Sequence, residues 1–141
     1  MFPPNTKILI VDDMKTMRLM LRKFLADLGF TRVTDVEDGD VAWVEFQKAA
    51  KDGLPYELII SDWVMPKTKG IHLLNRVRGA SKKLPFIMLT GENEGESIRE
   101  AVTAGVSAYV LKPFDPEGLR QKLEAVYQAS QAAQSGAKKS A

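Results

Sequence analysis

Five polar side chains follow the short apolar segments of the sequence, at the points where buried strands would end. Asp12 and Asp13 come after the first such segment, Asp62 after the third, Thr90 after the fourth and Lys112 after the fifth. Ligands of an open parallel sheet bind beyond the carboxyl ends of its strands. We therefore expect these residues to share one cleft and to form the functional site.

The chemistry of such a cleft follows from its charges. Three carboxylates close together repel each other unless a cation offsets them. Mg²⁺ suits oxygen ligands, and it commonly binds through one or two carboxylates while keeping several waters. With Lys112 opposite, the cleft suits a carboxylate that accepts a phosphoryl group, because phosphoryl transfer depends mostly on positioning and electrostatic stabilisation. The residues therefore indicate Mg²⁺-dependent phosphoryl transfer to an aspartate.

Taken singly, each of these residues has an ordinary structural interpretation. Asp12 and Asp13 could cap a helix and face solvent, and Thr90 could be a hydroxyl at a strand end. Lys112 could simply end a strand, and Tyr109 would by default lie in the core. The functional interpretation depends on their joint placement at the ends of strands, which chance does not readily produce.

The elements that must position these residues alternate between short apolar segments and longer amphipathic ones. We predict strands over residues 7–11, 32–36, 57–61, 85–89 and 107–111, with helices near 17–28, 42–50, 70–78 and 94–104 and a last helix from 116. Five βα units imply parallel strands, right-handed crossovers and helices on both faces. The predicted fold class is α/β, a doubly wound five-stranded parallel sheet.

Local signals mark the ends and the inner faces of these helices. Gly29 is placed to end the first helix, and Asp115 is placed to cap the last one. In the helix near 94–104, helical spacing puts Ile98, Ala101, Val102 and Gly105 on the stripe that we expect to face the core.

Composition indicates a soluble protein with a core of its own. Of the 141 residues 45% are apolar, and 20 basic against 18 acidic residues give a net charge of +2, which excludes a strongly basic nucleic-acid binder. The chain has no Cys and one histidine, His72, which excludes disulfides and multi-histidine metal sites. It shows no secretory signal and no apolar segment of membrane-spanning length, so we expect a cytoplasmic monomer.

Composition also divides the chain. Residues 1–6 precede the first strand and are interpreted as an N-terminal extension, and 7–128 as one domain. Residues 129–141 are mostly Ala, Ser, Gln and Lys without a large apolar side chain, so a frayed helix end and a flexible tail are expected there.

Four stretches of this sequence resemble the receiver domains of two-component response regulators. They are Ile-Leu-Ile-Val-Asp-Asp at 8–13, Ser-Asp-Trp-Val-Met-Pro at 61–66, Leu-Thr-Gly at 89–91 and Tyr-Val-Leu-Lys-Pro-Phe at 109–114. Further similarity to the single-domain, CheY-type chemotaxis members lies in Thr-Met-Arg at 16–18, Leu-Gly-Phe at 28–30, Glu-Asp-Gly at 37–39 and Asp-Trp at 62–63. The resemblance covers about 7–128, and it implies the flavodoxin-like strand order 2-1-3-4-5.

The resemblance implies a phosphoacceptor and a metal site. Asp62 would take a phosphoryl group from a phosphohistidine of a sensor histidine kinase. Asp13 and Asp62 would bind Mg²⁺ directly with the backbone carbonyl of Val64, and Asp12 would act largely through water.

The resemblance also implies how phosphorylation is sensed. Lys112 and Thr90 would bind the phosphoryl oxygens, and Tyr109 would turn inward when Thr90 moves. The peptide bond before Pro113 would be cis and would aim Lys112 at the site. The readout face would be formed by the fourth helix, the fifth strand and the fifth helix.

Two residues near the site depart from the commonest pattern of the family. Val64 stands where a polar residue is common, so it could shield the phosphoryl group from water or fail to orient that water. We expect an altered autodephosphorylation rate. Glu92 keeps a polar group at the dephosphorylation rim. Lys69 replaces a common Asp and makes the neighbouring loop more positive.

The resemblance implies a stand-alone switch rather than an enzyme with turnover, with self-phosphorylation and slow autodephosphorylation. Its partners would be a chemotaxis histidine kinase, a flagellar switch protein or another target and a phosphatase, without nucleic acid or membrane. Two alternatives remain open. One is a phosphorelay or phosphate-sink receiver without a motor target. The other, less favoured, is an Mg²⁺-dependent aspartyl-phosphate hydrolase, which needs an acid two residues after Asp62, where Val64 stands.

Overall fold

Strands and helices alternate along the whole chain. The computed structural model describes residues 1–65, 69–91 and 95–140, with side chains as far as residue 132. The strands are β1 (Lys7–Val11), β2 (Arg32–Val36), β3 (Leu58–Asp62), β4 (Phe86–Gly91) and β5 (Ala108–Lys112). The helices are α1 (Lys15–Asp27), α2 (Gly39–Lys51), α3 (Gly70–Ala80), α4 (Gly95–Ala104) and α5 (Pro116–Ser140).

The five strands form one parallel sheet in the order β2-β1-β3-β4-β5. This confirms the predicted α/β fold class and the strand order that the resemblance implied. Val11 of β1 lies in register with Ser61 of β3. The residues that follow these two positions therefore leave the sheet side by side, at the point where the strand order reverses.

Alternating side chains of the central strands separate the core into two layers. Leu9 and Val11 face the layer that α2, α3 and α4 cover, where Phe46, Leu73 and Ala101 lie. The opposite layer lies under α1 and α5. It contains Ile8, Ile10, Leu21, Leu25, Leu119 and Leu123. Because helices cover both faces of the sheet, β1, β3 and β4 consist almost wholly of apolar residues. Their polar residues lie at or next to the strand ends.

The two predicted helix-end signals are confirmed, but one helix position predicted to face the core is exposed. Gly29 has a φ of +98° just after α1, as expected of a C-terminal glycine. Asp115 Oδ1 accepts a hydrogen bond from the Gly118 amide at 2.7 Å, which confirms the cap of α5. Val102 was expected to face the core but is 60% exposed, because the buried stripe of α4 is narrow and is filled by Ala101.

Each terminal segment has one structural feature that the sequence did not predict. In the N-terminal extension, Phe2 is buried and meets Tyr127 edge to face, with ring centroids 5.1 Å apart. The α5 backbone is helical up to Ser140, past Gln128 where a frayed end was expected. Ala, Gln and Lys favour helix even where no apolar side chain packs. Flexibility of 129–141 stays a prediction.

Among the described residues, no helix combines the length and hydropathy required to cross a bilayer, α5 included.

Candidate functional site

Three carboxylates meet at the carboxyl ends of β1 and β3. Asp12, Asp13 and Asp62 each offer an oxygen atom, and these atoms lie within 4.8 Å of one another. The parallel pairing of β1 with β3 brings them together, because Asp12 follows Val11 and Asp62 follows Ser61 in the shared register. The predicted convergence of the acids is therefore present in the structure.

Lys112 reaches this cluster from the end of β5. Its Nζ lies 3.1 Å from Asp62 Oδ1 and 3.6 Å from Asp12 Oδ2, so one ammonium contacts two carboxylates. The peptide bond between Lys112 and Pro113 is cis, as the resemblance implied.

Burial governs the electrostatics of the cluster. Asp12 is fully buried and Asp62 is 6% exposed, whereas Asp13 is exposed. Burial raises the pKa of Asp62 to about 6; the Lys112 ammonium opposes this rise and the charge of Asp12 adds to it. Burial also raises the pKa of Asp12, against a hydrogen bond from the Met14 amide. The two buried carboxylates are therefore only partly compensated by Lys112.

One oxygen of this cluster has no hydrogen bond. Asp12 Oδ2 is buried and accepts none within the described part of the chain, since its ion pair with Lys112 is too long for one. A buried carboxylate oxygen left in this way is costly, and it faces two other carboxylates. An all-oxygen donor set with excess negative charge suits Mg²⁺, so the residues present fit the metal that the sequence predicted.

The end of β3 packs closely against the first residue of α3. The Gly70 amide donates to the Trp63 carbonyl at 3.0 Å. A Cβ at position 70 would lie 2.7 Å from the Asp62 carbonyl oxygen, so only glycine fits there. Val64 points away from the core and is 58% exposed. Lys69 is also exposed, whereas residues 66–68 lie outside the described part.

The two expected switch residues lie on the neighbouring strands. Thr90, near the end of β4, is 1% exposed and is in register with Leu111 of β5. Tyr109 is half-buried against the α2–α4 side of the core, and the Lys122 ammonium lies 5.3 Å from its ring centroid. Glu92, expected at the dephosphorylation rim, falls outside the described residues.

The sequence analysis missed a basic side chain that contacts the acidic loop. Arg18 of α1 donates to the backbone carbonyl of Asp12 at 2.8 Å and pairs with Asp35 of β2 at 3.0 Å. Asp35 lies inside a strand rather than at its end, so a search of strand ends could not find it. The available signal was an acidic residue between Thr34 and Val36 in the predicted strand.

Comparison with known proteins agrees with this arrangement. The family model described as the response regulator receiver domain matches residues 8–124. The chain belongs to that family. The matched range contains four of the five strands and four of the five helices in full, β1 from its second residue, every residue of the acidic cluster and Lys112.

Similar receiver proteins are known from chemotaxis. The chain is 39% identical to chemotaxis protein CheY-3 of Vibrio cholerae over 88% of this chain and 93% of the relative. It is 40% identical to chemotaxis protein CheY of Pseudomonas aeruginosa, over 86% of this chain and 96% of that one. The solved structure of chemotaxis protein CheY4 of Vibrio cholerae matches with a TM-score of 0.77 at 35% identity, covering 86% of this chain and 98% of that one.

Proposed function

We propose that this receiver domain is a stand-alone, phosphorylation-activated switch whose phosphoacceptor is Asp62. The contact that supports this most is the Lys112 ammonium, 3.1 Å from one oxygen of a buried carboxylate that belongs to a three-acid cluster. An acceptor needs an ionised oxygen, a cation beside it and exclusion of bulk water. Asp62 has all three in the arrangement described above.

The transfer forms one bond and breaks another. An Asp62 carboxylate oxygen bonds to phosphorus while the P–N bond of a kinase phosphohistidine breaks, and the imidazole leaves with the electron pair and takes a proton. Lys112, which now contacts the acceptor oxygen, would then contact the phosphoryl oxygens. Because the chemistry is mostly electrostatic, fixed charges close to the acceptor supply most of the stabilisation.

A magnesium ion would be held by Asp13, Asp62 and the backbone carbonyl of Val64, with Asp12 acting largely through water. When bound, Mg²⁺ offsets the negative charge of the acids and of the phosphoryl oxygens. Burial of Asp12 keeps a second carboxylate beside the acceptor, and Lys112 remains between the two. These residues therefore bind and orient the reacting groups rather than exchange protons with them.

Phosphorylation would be sensed by Thr90 and Tyr109. The buried Thr90 hydroxyl would bond to the phosphoryl group, and the half-buried Tyr109 ring would turn inward as Thr90 shifts. The phosphoryl group thereby stabilises one of two arrangements through contacts that only one of them makes. The surface of α4, β5 and α5 would report this change to a target.

The biological setting that we propose is chemotaxis in the cytoplasm. The named chemotaxis relatives support it because they cover most of this chain and are covered by it almost completely. A chemotaxis histidine kinase would supply the phosphoryl group, and a flagellar switch protein would be the target. Binding of the phosphorylated protein to such a target would distinguish this setting from a phosphorelay or phosphate-sink receiver, which would bind none.

A small phosphodonor tests the proposal without a partner protein. Incubation with acetyl phosphate and Mg²⁺ should add one phosphoryl group, seen by intact mass, together with a change in the fluorescence of Trp63. Omission of Mg²⁺ and Asp62→Asn should each abolish the adduct. Labelling of Asp62→Asn at the wild-type rate would contradict the assignment, and steady turnover of a phosphate ester would favour a hydrolase instead.

A further inference from the structure

We infer that Arg18 is a positioning residue for the magnesium site, because it holds the peptide that joins Asp12 to Asp13. The inference rests on the proposed function, since it concerns how the acids of that site are oriented. It assigns Arg18 no contact with the metal or with the phosphoryl group.

Three of the four polar atoms of Asp12 are taken by the protein itself. Its amide donates to the Val36 carbonyl at 3.1 Å, and its Oδ1 accepts from the Met14 amide at 2.9 Å. Its carbonyl accepts from Arg18 Nη1 at 2.8 Å. The fourth atom, Oδ2, accepts no hydrogen bond from the described residues and lies 3.6 Å from the Lys112 ammonium.

The Arg18 contact controls the direction of two carboxylates at once. The carbonyl that it holds belongs to the peptide bond between Asp12 and Asp13. Rotation of that peptide would turn the backbone that carries Asp13, which is exposed and has no buried packing to fix it. The Arg18 clamp therefore keeps Asp13 aimed at the cluster before a metal arrives, and outer contacts of this kind tune metal affinity.

Arg18 is itself fixed from β2. Its Nε donates to Asp35 Oδ2 at 3.0 Å, and its side chain is 15% exposed. Asp35 Oδ1 is in turn held by Arg22 at 2.9 Å, and Arg22 also donates to the Val33 carbonyl at 2.9 Å. Of these two arginines only Arg18 contacts the acidic loop, so the Arg18–Asp35 pair ties that loop to the edge strand of the sheet.

Charge and position predict opposite effects when Arg18 is removed. A cation near a divalent metal opposes its binding, so charge alone predicts tighter Mg²⁺ binding after Arg18→Gln. Loss of positioning predicts weaker binding. Arg22→Gln is the matched control, because it removes the same charge from the same Asp35 carboxylate without touching the Asp12 carbonyl.

The experiment is a Mg²⁺ titration of the metal-free protein, followed by tryptophan fluorescence at constant ionic strength. We expect Arg18→Gln to raise the Mg²⁺ Kd about tenfold and Arg22→Gln to leave it nearly unchanged. Arg18→Lys should fall between them, because one ammonium cannot span both acceptors as the guanidinium fork does. Without metal, hydrogen exchange of the Met14 amide should quicken in Arg18→Gln only.

The outcomes separate this inference from the proposed function. Wild-type binding with an unchanged or tighter Kd in Arg18→Gln would overturn the inference alone, as would equal weakening in Arg22→Gln. No Mg²⁺ binding by the wild type would overturn both. If Arg18→Gln does not fold, by circular dichroism, the Kd of Arg18→Lys decides, and a wild-type value would overturn the inference.

Discussion

The carboxyl end and the amino end of the sheet differ in the groups that they bury. At the carboxyl end, the buried carboxylates of Asp12 and Asp62 share the Lys112 ammonium, and one of their oxygens accepts no hydrogen bond. At the amino end, Phe2 packs edge to face on Tyr127 and the backbone is closed by hydrogen bonds such as Thr31 N to the Pro4 carbonyl. The carboxyl end therefore contains buried charge that is only partly compensated, whereas the amino end contains packed aromatic side chains.

Because of this difference, we expect the amino end to stabilise the fold and the buried charges of the carboxyl end to destabilise it. Buried like charges oppose folding, and in the proposed function these same charges accept the phosphoryl group and bind the metal. Burial of aromatic side chains at the opposite end contributes stability without any chemistry. Changes at the two ends should therefore separate stability from function.

The largest effect should come from removing the shared cation. At pH 7 without Mg²⁺, Lys112→Met should lower the free energy of unfolding by about 3 kcal/mol, because two buried carboxylates then lack their partner. Urea unfolding measures this. Lys122→Met, which removes an exposed lysine whose ammonium lies over the Tyr109 ring, should cost much less. Equal losses of unfolding free energy in both variants would show that Lys112 does not compensate the buried carboxylates.

A packing change at the amino end should affect stability alone. Phe2→Ala should lower the free energy of unfolding by about 2 kcal/mol, below the range for a fully buried Phe because the residue lies near the chain end. The Mg²⁺ Kd and the acetyl phosphate labelling rate should stay at wild-type values. A loss of labelling without loss of stability would show that the two ends are coupled.

Removing one of the buried charges should stabilise the protein. Asp62→Asn should raise the free energy of unfolding at pH 7 by about 1 kcal/mol in the absence of metal, after allowance for solvent that reaches the carboxylate. The folded pKa of about 6 exceeds the ordinary 3.8, so the native wild type binds a proton more tightly within that window. The wild type gains stability as pH falls through 6 towards 3.8, and the advantage of the variant should vanish.

The control for this variant is Glu100→Gln, which removes a carboxylate of the same charge from an exposed position of α4. A lower free energy of unfolding for Asp62→Asn at pH 7 would show that burial of the charged Asp62 carboxylate does not destabilise the fold. A stability gain that stays the same at pH 4 would show the same.

The smallest expected effect concerns the exposed rim of the site. Val64→Asn should speed loss of the phosphoryl group severalfold, because an amide at this exposed position can orient a water molecule and valine cannot. Phosphoprotein decay followed by intact mass measures it. Val44→Asn, an equally exposed valine in α2, should leave the decay rate unchanged. An unchanged decay rate in Val64→Asn would show that residue 64 does not control loss of the phosphoryl group.

The central strands and the acids at their ends were predictable because both follow from local rules. Apolar runs such as that in β3 must be buried on both faces, so a polar residue like Asp62 can follow only at the end. The inward stripe of α4 was less predictable, since the narrow contact with the core admits Ala101 and leaves Val102 in solvent.

Other features depend on contacts between distant segments. The clamp of Arg18 on the Asp12 carbonyl requires Asp35 to lie beside it, and the β1–β2 register sets that position. The docking of Phe2 on Tyr127 joins segments that are far apart in the sequence, which no local pattern indicates. The helical backbone up to Ser140 follows from the helix propensity of Ala, Gln and Lys. The predicted frayed end rested only on the lack of apolar side chains there.

A crystal structure with Mg²⁺ and beryllofluoride would test the central claim most directly. We expect one magnesium ion on Asp13, Asp62 and the Val64 carbonyl, with beryllofluoride on Asp62 and in contact with Lys112 and Thr90. Beryllofluoride absent from Asp62, with the acids and Lys112 facing separate regions of solvent, would contradict the account.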